Sequence, residues 1–325
     1  VLDQIPTGAL DDARRDGKAR GQVFIVAEIL RVLEQIIGTA IDRSSTLGRE
    51  GTFSRTAAHA GGDVVIELAF DGVLNDQLVG FYRSSFTVDG RTEYMAVTQF
   101  EAPYARRAFP CWDEPEFKAT FEISLTCDAG LTAVSNGAET ARTDLDDGRT
   151  RFDFAPTMKM STYLVAWVIG ELEVSETVHG GTTDIRVIHR PGQGHLTSFA
   201  LECAAHSVAW FDEYYGIDYP GQKLDLVAVP DFAFGAMENL GCVTFRENLL
   251  LIDPERSNRS EQERAATVIE HEIAHMWFGD LVTMQWWNGI WLNEAFATFM
   301  EFCCADSFRP DWEIWTSFGL SKSQA

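Results

Sequence analysis

The sequence predicts an α+β protein in which an antiparallel β-rich N-terminal part precedes an α-rich part. From Val64 onward, Ile66, Leu68 and Phe70 alternate with Glu67 and Ala69, the period-two pattern of a half-buried strand. Further strand-like runs at 79–88, 94–99, 117–126, 151–154 and 162–169 are separated by turn pairs such as Asp89-Gly90, Asn136-Gly137 and Asp147-Gly148. Past 170–180 the dominant period becomes helical. The 325 residues are 46% hydrophobic and 12% aromatic, enough to bury a sizeable core in one large or two ordinary domains and to exclude a disordered chain.

Three segments follow: 1–60, an atypical stretch of helix and loop; 61–175, the β-rich part; and 176–325, the α-rich part. In the first, Phe24, Ala27, Leu30, Leu33 and Ile37 recur at helical spacing and predict a helix over 22–37, with a Ser-, Thr- and Gly-rich loop over 42–63. In the third, 195–215 carries Phe199, Cys203, His206, Trp210 and Tyr214 on one helical face and ends at Gly216. Strands are expected at 224–229 and 242–246. Ser260 with Glu263 reads as a capping box opening a helix that runs to about Phe278, and a further helix begins near Asn293.

Charge and cysteines narrow the function classes. Lys and Arg number 26 against 49 Asp and Glu, a net charge of −23 that repels phosphate backbones and anionic lipid and favours a cationic ligand. Nucleic acid and membrane surfaces are therefore not expected partners. None of the six cysteines forms a C-x-x-C pair, so neither a zinc ribbon nor a dense disulfide framework is predicted, and reduced thiols in a cytoplasmic protein are the expectation. The apolar stretch 23–41 is broken by Glu28, Arg31 and Glu34 and cannot span a bilayer. The chain begins with Val1 rather than Met and reads as a fragment or a processed product.

Residues 271–275 read His-Glu-Ile-Ala-His. Histidines four apart stand one helical turn above each other, so both imidazoles can face one metal ion. Neutral imidazoles suit zinc, and a catalytic zinc needs a third protein ligand and one open position. Glu294, separated from His275 by eighteen residues, can present that carboxylate from the next helix. Glu272 is placed to take a proton from bound water and return it to a leaving amine. A bare H-E-x-x-H arises by chance in about one chain of this length in a hundred. Alone it would leave a metal-free histidine pair open; the capped helix and the following Asn293-Glu294 favour a metal site. Of the other histidines, His59, His179, His189 and His195 are expected at the surface, and His206 as a satisfied core or interface residue.

Together with that motif, Gly235-Ala236-Met237-Glu238-Asn239 and Glu294 closely resemble the zinc aminopeptidases of the aminopeptidase N and puromycin-sensitive type. Supporting stretches are Gly80-Phe81-Tyr82-Arg83-Ser84-Ser85, Thr98-Gln99-Phe100-Glu101, the run from Phe109 through Pro115, Trp277-Phe278-Gly279-Asp280 and Trp291-Leu292-Asn293-Glu294. The similarity covers about 64–320. It implies a saddle-like β domain followed by a thermolysin-like catalytic domain, one Zn²⁺ on His271, His275 and Glu294, and Glu272 as general base and acid. It further implies that Glu238 binds the free α-amine of a peptide, that Glu101 reaches over from the β domain with Gln99 lining the same pocket, and that Met237 borders it. The backbone of Gly235 and Ala236 would run beside the substrate. Without the resemblance, Glu238 reads as a turn residue and Glu101 as an exposed strand residue.

The resemblance has departures. Residues 1–60 do not resemble the family's opening strands. The family's oxyanion-stabilising tyrosine is expected downstream of Ala325, so these residues read as part of a longer enzyme, weak or inactive alone, with Trp312, Trp315 and Phe318 left uncovered. Three other functions compete. An epoxide hydrolase-aminopeptidase of the leukotriene-converting type is disfavoured by Ala236 and Glu101, where that subgroup has Gly and Gln. A thermolysin-type endopeptidase and an inactive zinc- or peptide-binding module are the others.

Overall fold

A computed structural model of the chain describes residues 18–27 and 64–324. Strands β1 (Lys18–Ala27) and β2 (Val64–Val73) pair antiparallel, from Lys18 opposite Val73 to Ala27 opposite Val64. This corrects the helix expected over 22–37 for residues 22–27. The β-branched and aromatic run Val23-Phe24-Ile25-Val26 suits a pleated strand, and a partner strand outweighs the helical spacing. Residues 28–37, the loop at 42–63 and His59 lie outside the described residues.

β3 (Gly80–Val88) and β4 (Arg91–Gln99) form a hairpin closed by Asp89-Gly90, as the turn signal predicts. They belong to a four-stranded sheet ordered β3-β4-β9-β6, with β6 at Thr132–Ser135 and β9 at Trp167–Gly170. β5 (Ser124–Asp128), β7 (Glu139–Asp144) and β8 (Arg149–Phe154) make a three-stranded sheet ordered β5-β8-β7. Two strand expectations shorten. Of 117–126 only the last residues are strand, because Ala119 pairs with Met160 in an isolated bridge and Phe121 N–H donates to the Thr157 hydroxyl. Of 162–169, residues Thr162–Leu164 form a 3-10 turn.

The second part is more than helices. β12 (Thr183–His189), β13 (Leu224–Val229) and β15 (Cys242–Arg246) run parallel, and every residue of β13 is buried, as a parallel strand covered on both faces requires. β10 (Glu173–Val174) and β11 (Val178–Gly180) join β12 antiparallel, and β14 (Ala236–Met237) joins β15 antiparallel as the terminal strand of the sheet path. The helices are α1 (Ser198–Tyr215), α2 (Glu247–Leu250), α3 (Arg259–Ala274), α4 (Ile290–Phe308) and α5 (Ile314–Gln324). α1 ends at Gly216 as expected, but its buried side includes Ala200, Cys203, Ala204, Ser207, Val208 and Phe211, and Tyr214 is exposed. The small residues let α1 lie close against its neighbours.

α3 starts two residues earlier than predicted. Asn258 is the N-cap: its side chain accepts from Glu261 N–H while Glu261 accepts from Asn258 N–H, the reciprocal box expected of Ser260 and Glu263. The helix ends at Ala274 rather than near Phe278. His189 is 2% exposed, against the surface position expected, while His179 and His195 are exposed. His206 stacks toward Phe308, but its buried Nε2 has no partner, so it is not the satisfied residue expected. Trp312 is buried beside Phe308, whereas Trp315 is exposed.

Two buried side chains join the four-stranded sheet to the mixed sheet. Lys223 Nζ donates to Ser135 O at 2.6 Å and pairs with Asp225 at 2.8 Å. Asn136 Nδ2 donates to Leu164 O at 2.8 Å and to Leu240 O at 2.9 Å. They tie the β-rich part to the loop between β14 and β15, beside Glu238.

Candidate metal centre

α3 presents His271 and His275 from successive turns, their rings 4.6 Å apart and nearly perpendicular. α4 packs against α3 and brings Glu294 over both: its Oε2 lies 3.3 Å from His271 Nε2 and 3.8 Å from His275 Nε2. One ligand atom from each of the three falls within 4.8 Å of the others. Donors each ~2.1 Å from a tetrahedral ion stand ~3.4 Å apart, so the separations suit zinc.

The outward nitrogens are engaged, which orients both rings. His271 Nδ1 is 2.6 Å from Glu301 Oε2, and His275 Nδ1 is 2.6 Å from Asn293 Oδ1 and 3.1 Å from the Phe278 carbonyl. A carbonyl only accepts, so His275 carries a hydrogen on Nδ1 and turns Nε2 toward Glu294. Burial disfavours a proton on His271, but Glu294 and Glu301 outweigh it and raise its pKa well above the ordinary value. Positive charge is favoured at this point, and the donor set fits a divalent cation.

Three further carboxylates crowd the centre. Glu272 is buried, its Oε2 lacks a partner, and burial holds its pKa well above the carboxylate range. Glu238, just after β14, is 2% exposed, and its Oε1 accepts from Asn293 Nδ2 at 3.1 Å. Glu101 arrives from the turn after β4. Ligand atoms of Glu101, Glu238 and Glu294 lie within 4.8 Å of one another, as do those of Glu238, Glu272 and His275. Burial first, then Glu238, Glu294 and Glu272, push the Glu101 carboxyl up to about 10. An exposed strand position for Glu101 and a plain turn position for Glu238 are thus corrected: both face one anionic cluster.

Gln99 is buried beside Met237, its Nε2 3.2 Å from Met237 Sδ, and its Oε1 has no partner. Gly235 O accepts from Arg246 N–H at 2.8 Å, and Ala236 and Met237 face Phe245 and Thr244 of β15. The other edge of β14 has no strand neighbour among the described residues. All ten sequence-predicted site residues therefore gather around one end of the mixed sheet.

Sequence reasoning missed four neighbours. Glu301 lies seven residues after Glu294, two turns along the same face, a signal the helical period could have supplied. Asn293 carried no assigned role. Asp280 is fully buried with both carboxyl oxygens unpartnered, and burial raises its pKa strongly. Tyr163 donates its hydroxyl to Gly279 O at 3.3 Å; burial, then Glu238, raises its pKa well above the usual tyrosine value.

An H-E-x-x-H helix answered by a carboxylate from the next helix, beside a strand edge without a neighbour among the described residues, is the layout of a metallopeptidase. Residues 199–325 match the model of the peptidase family M1 domain, and residues 44–164 match that of the peptidase M1 N-terminal domain. The chain belongs to peptidase family M1. The N-terminal match begins at 44, inside the stretch expected to be foreign to the family. Aminopeptidase 2 of Candida albicans is 47% identical over 251 residues, covering 77% of this chain and 27% of that protein. Alanine/arginine aminopeptidase of Saccharomyces cerevisiae is 44% identical, covering 84% and 32%. Puromycin-sensitive aminopeptidase of Caenorhabditis elegans is 44% identical, covering 78% and 27%. The chain spans less than a third of the length of these curated relatives.

Proposed function

We propose that this chain carries the zinc centre and the amino-terminus-binding cluster of an aminopeptidase, with the β-rich part over 61–175 lending Glu101 and Gln99 to a catalytic part over 176–325. The observation that carries the proposal is the meeting of Glu101, Glu238 and Glu294 within 4.8 Å beside His271 and His275. Carboxylates crowded this closely do not all ionise unless cations enter. A metal ion accounts for part of the compensation and a substrate ammonium for the rest.

Zinc held by His271, His275 and Glu294 would polarise the scissile carbonyl and make water more acidic. Glu238 and Glu101 hold the free α-ammonium by charge-assisted hydrogen bonds, which fixes one residue between the chain end and the reacting bond. The unpartnered Gln99 Oε1 faces the same need for a donor. The edge of β14 at Ala236 and Met237, which has no neighbour among the described residues, takes the peptide backbone as an added strand. Glu272 accepts the proton of the attacking water and passes it to the departing amine; positive charge in the site lowers its pKa from the raised value and readies it as a base.

Peptides with a free N-terminus are the proposed substrates. Among the described residues no helix is long and apolar enough to cross a membrane. All six cysteines are unpaired, which supports a reducing, cytoplasmic setting. The test pairs metal analysis with hydrolysis of one peptide in free and N-acetylated form. One zinc per chain is expected, with whatever cleavage the partial chain retains confined to the free form; equal cleavage of both would overturn the exopeptidase assignment.

A further inference from the structure

The metal-facing imidazole of His275 and the carboxylate of Glu238 are joined by one side chain. Asn293 is 3% exposed; its Oδ1 lies 2.6 Å from His275 Nδ1 and its Nδ2 lies 3.1 Å from Glu238 Oε1. The amide has only one consistent orientation. His275 Nδ1 also donates to the Phe278 carbonyl, so it bears a hydrogen and the Asn293 atom facing it must be the oxygen. The amide N–H₂ is then left to donate to Glu238. Position 279 is shaped around this amide. Gly279 has φ +135, and a Cβ there would stand 2.3 Å from Asn293 Oδ1.

We infer that Asn293 is a positioning residue that sets the His275 ring for the metal and the Glu238 carboxylate for the substrate amine through a single amide, so that the two subsites are mechanically coupled. This deepens the aminopeptidase reading and rests on it for the amine half alone; the His275 half stands on the chain's own geometry.

Two substitutions separate the two bonds. Asn293→Asp keeps an oxygen for His275 Nδ1–H but replaces the donor to Glu238 with another acceptor. Asn293→Ala removes both. Three measurements on the 325-residue chain read the outcome: the imidazole ¹H–¹⁵N spectrum of the metal-free protein, zinc affinity by chelator competition, and binding of a free-amine dipeptide against its N-acetyl form. In Asn293→Ala the His275 Nδ1–H resonance moves upfield and zinc binds about tenfold more weakly. This is the low end of the ~10–100-fold range for losing such a partner, since the Phe278 carbonyl still accepts. In Asn293→Asp the resonance stays downfield and zinc affinity holds within about threefold, while preference for the free amine falls about tenfold, the scale of one charged hydrogen bond.

A role in packing alone would lower the thermal midpoint of both variants and leave the resonance, the zinc affinity of folded protein and the amine preference unmoved; that result overturns the inference. Identical behaviour of the two variants on zinc and amine overturns it too. If the unsubstituted chain shows no free-amine preference, the aminopeptidase reading fails instead, while the metal-free spectrum still decides whether Asn293 orients His275.

Discussion

Glu301 Oε2 sits 2.6 Å from His271 Nδ1, so one helix, α4, contributes both the carboxylate that faces the metal-side nitrogen of His271 and the one that grips its opposite nitrogen. The second contact fixes the ring and raises its basicity as a ligand. Glu301→Ala should weaken zinc binding ~10–100-fold, and Glu301→Gln should weaken it less, because the amide oxygen still accepts from Nδ1–H. Chelator competition checks both; equal zinc affinity in all three proteins would remove Glu301 from the metal site.

The two carboxylates proposed to hold the substrate amine, Glu238 and Glu101, should act as one unit. Glu238→Ala or Glu101→Ala should each lower kcat/KM for free-amine substrates ~10–100-fold, the equivalent of one hydrogen bond to a charged group. The double variant should lose less than the product of the two, because the groups share one ligand. Steady-state kinetics on aminoacyl-arylamides measures this, and strict additivity would argue for separate roles.

Metal-free protein should lose stability as pH rises above the ordinary glutamate range. Unfolded, Glu101 ionises near 4.5; folded, it keeps its proton to about 10. Between those values the folded state binds more protons than the unfolded state, so the unfolding free energy falls with increasing pH. His271, whose pKa is raised well above its usual value, acts in the same direction. The thermal midpoint of chelator-treated protein should therefore drop between pH 6 and pH 8.5, a window inside that range. Zinc should flatten the trend by supplying the charge these groups lack. A rising midpoint in the metal-free protein would contradict the assignment.

Asp225 is 1% exposed and holds Arg186 through two bonds of 2.8 and 2.9 Å, with Lys223 Nζ 2.8 Å away. Asp225→Ala leaves the buried Lys223 ammonium without its counter-charge and should destabilise the chain by about 3–5 kcal/mol. Urea unfolding reads the loss. Since Lys223 also anchors Ser135, the contact between the four-stranded and mixed sheets should loosen, and Glu101 with it.

Parts of the fold were legible because their signals are local. The hairpin at Asp89-Gly90, strand 224–229 and the end of α1 at Gly216 each depend on neighbours a few residues apart. The start of α3 was ambiguous for a local reason: Asn258-Glu261 and Ser260-Glu263 both have capping-box spacing. The structure takes the first. Gln262 Nε2 donates to Pro254 O and Ser257 O, which folds the preceding turn back so that the helix opens after Asn258. Residues 22–27 show the opposite case, a helical period overridden by a strand partner distant in sequence.

The order of amino acids alone singled out the groups proposed to bind a metal, since two imidazoles four apart on a helix face the same way whatever surrounds them. It also marked Glu294 as their third partner through the helix that follows. The gathering of Glu101 and Gln99 from one sheet with Glu238 from another, the amide of Asn293 between two subsites, and the burial that lifts the Glu101 carboxyl came only from the folded chain. The physical reason is range: backbone periodicity acts over a few residues, whereas desolvation and repulsion between carboxylates depend on which distant segments meet in space.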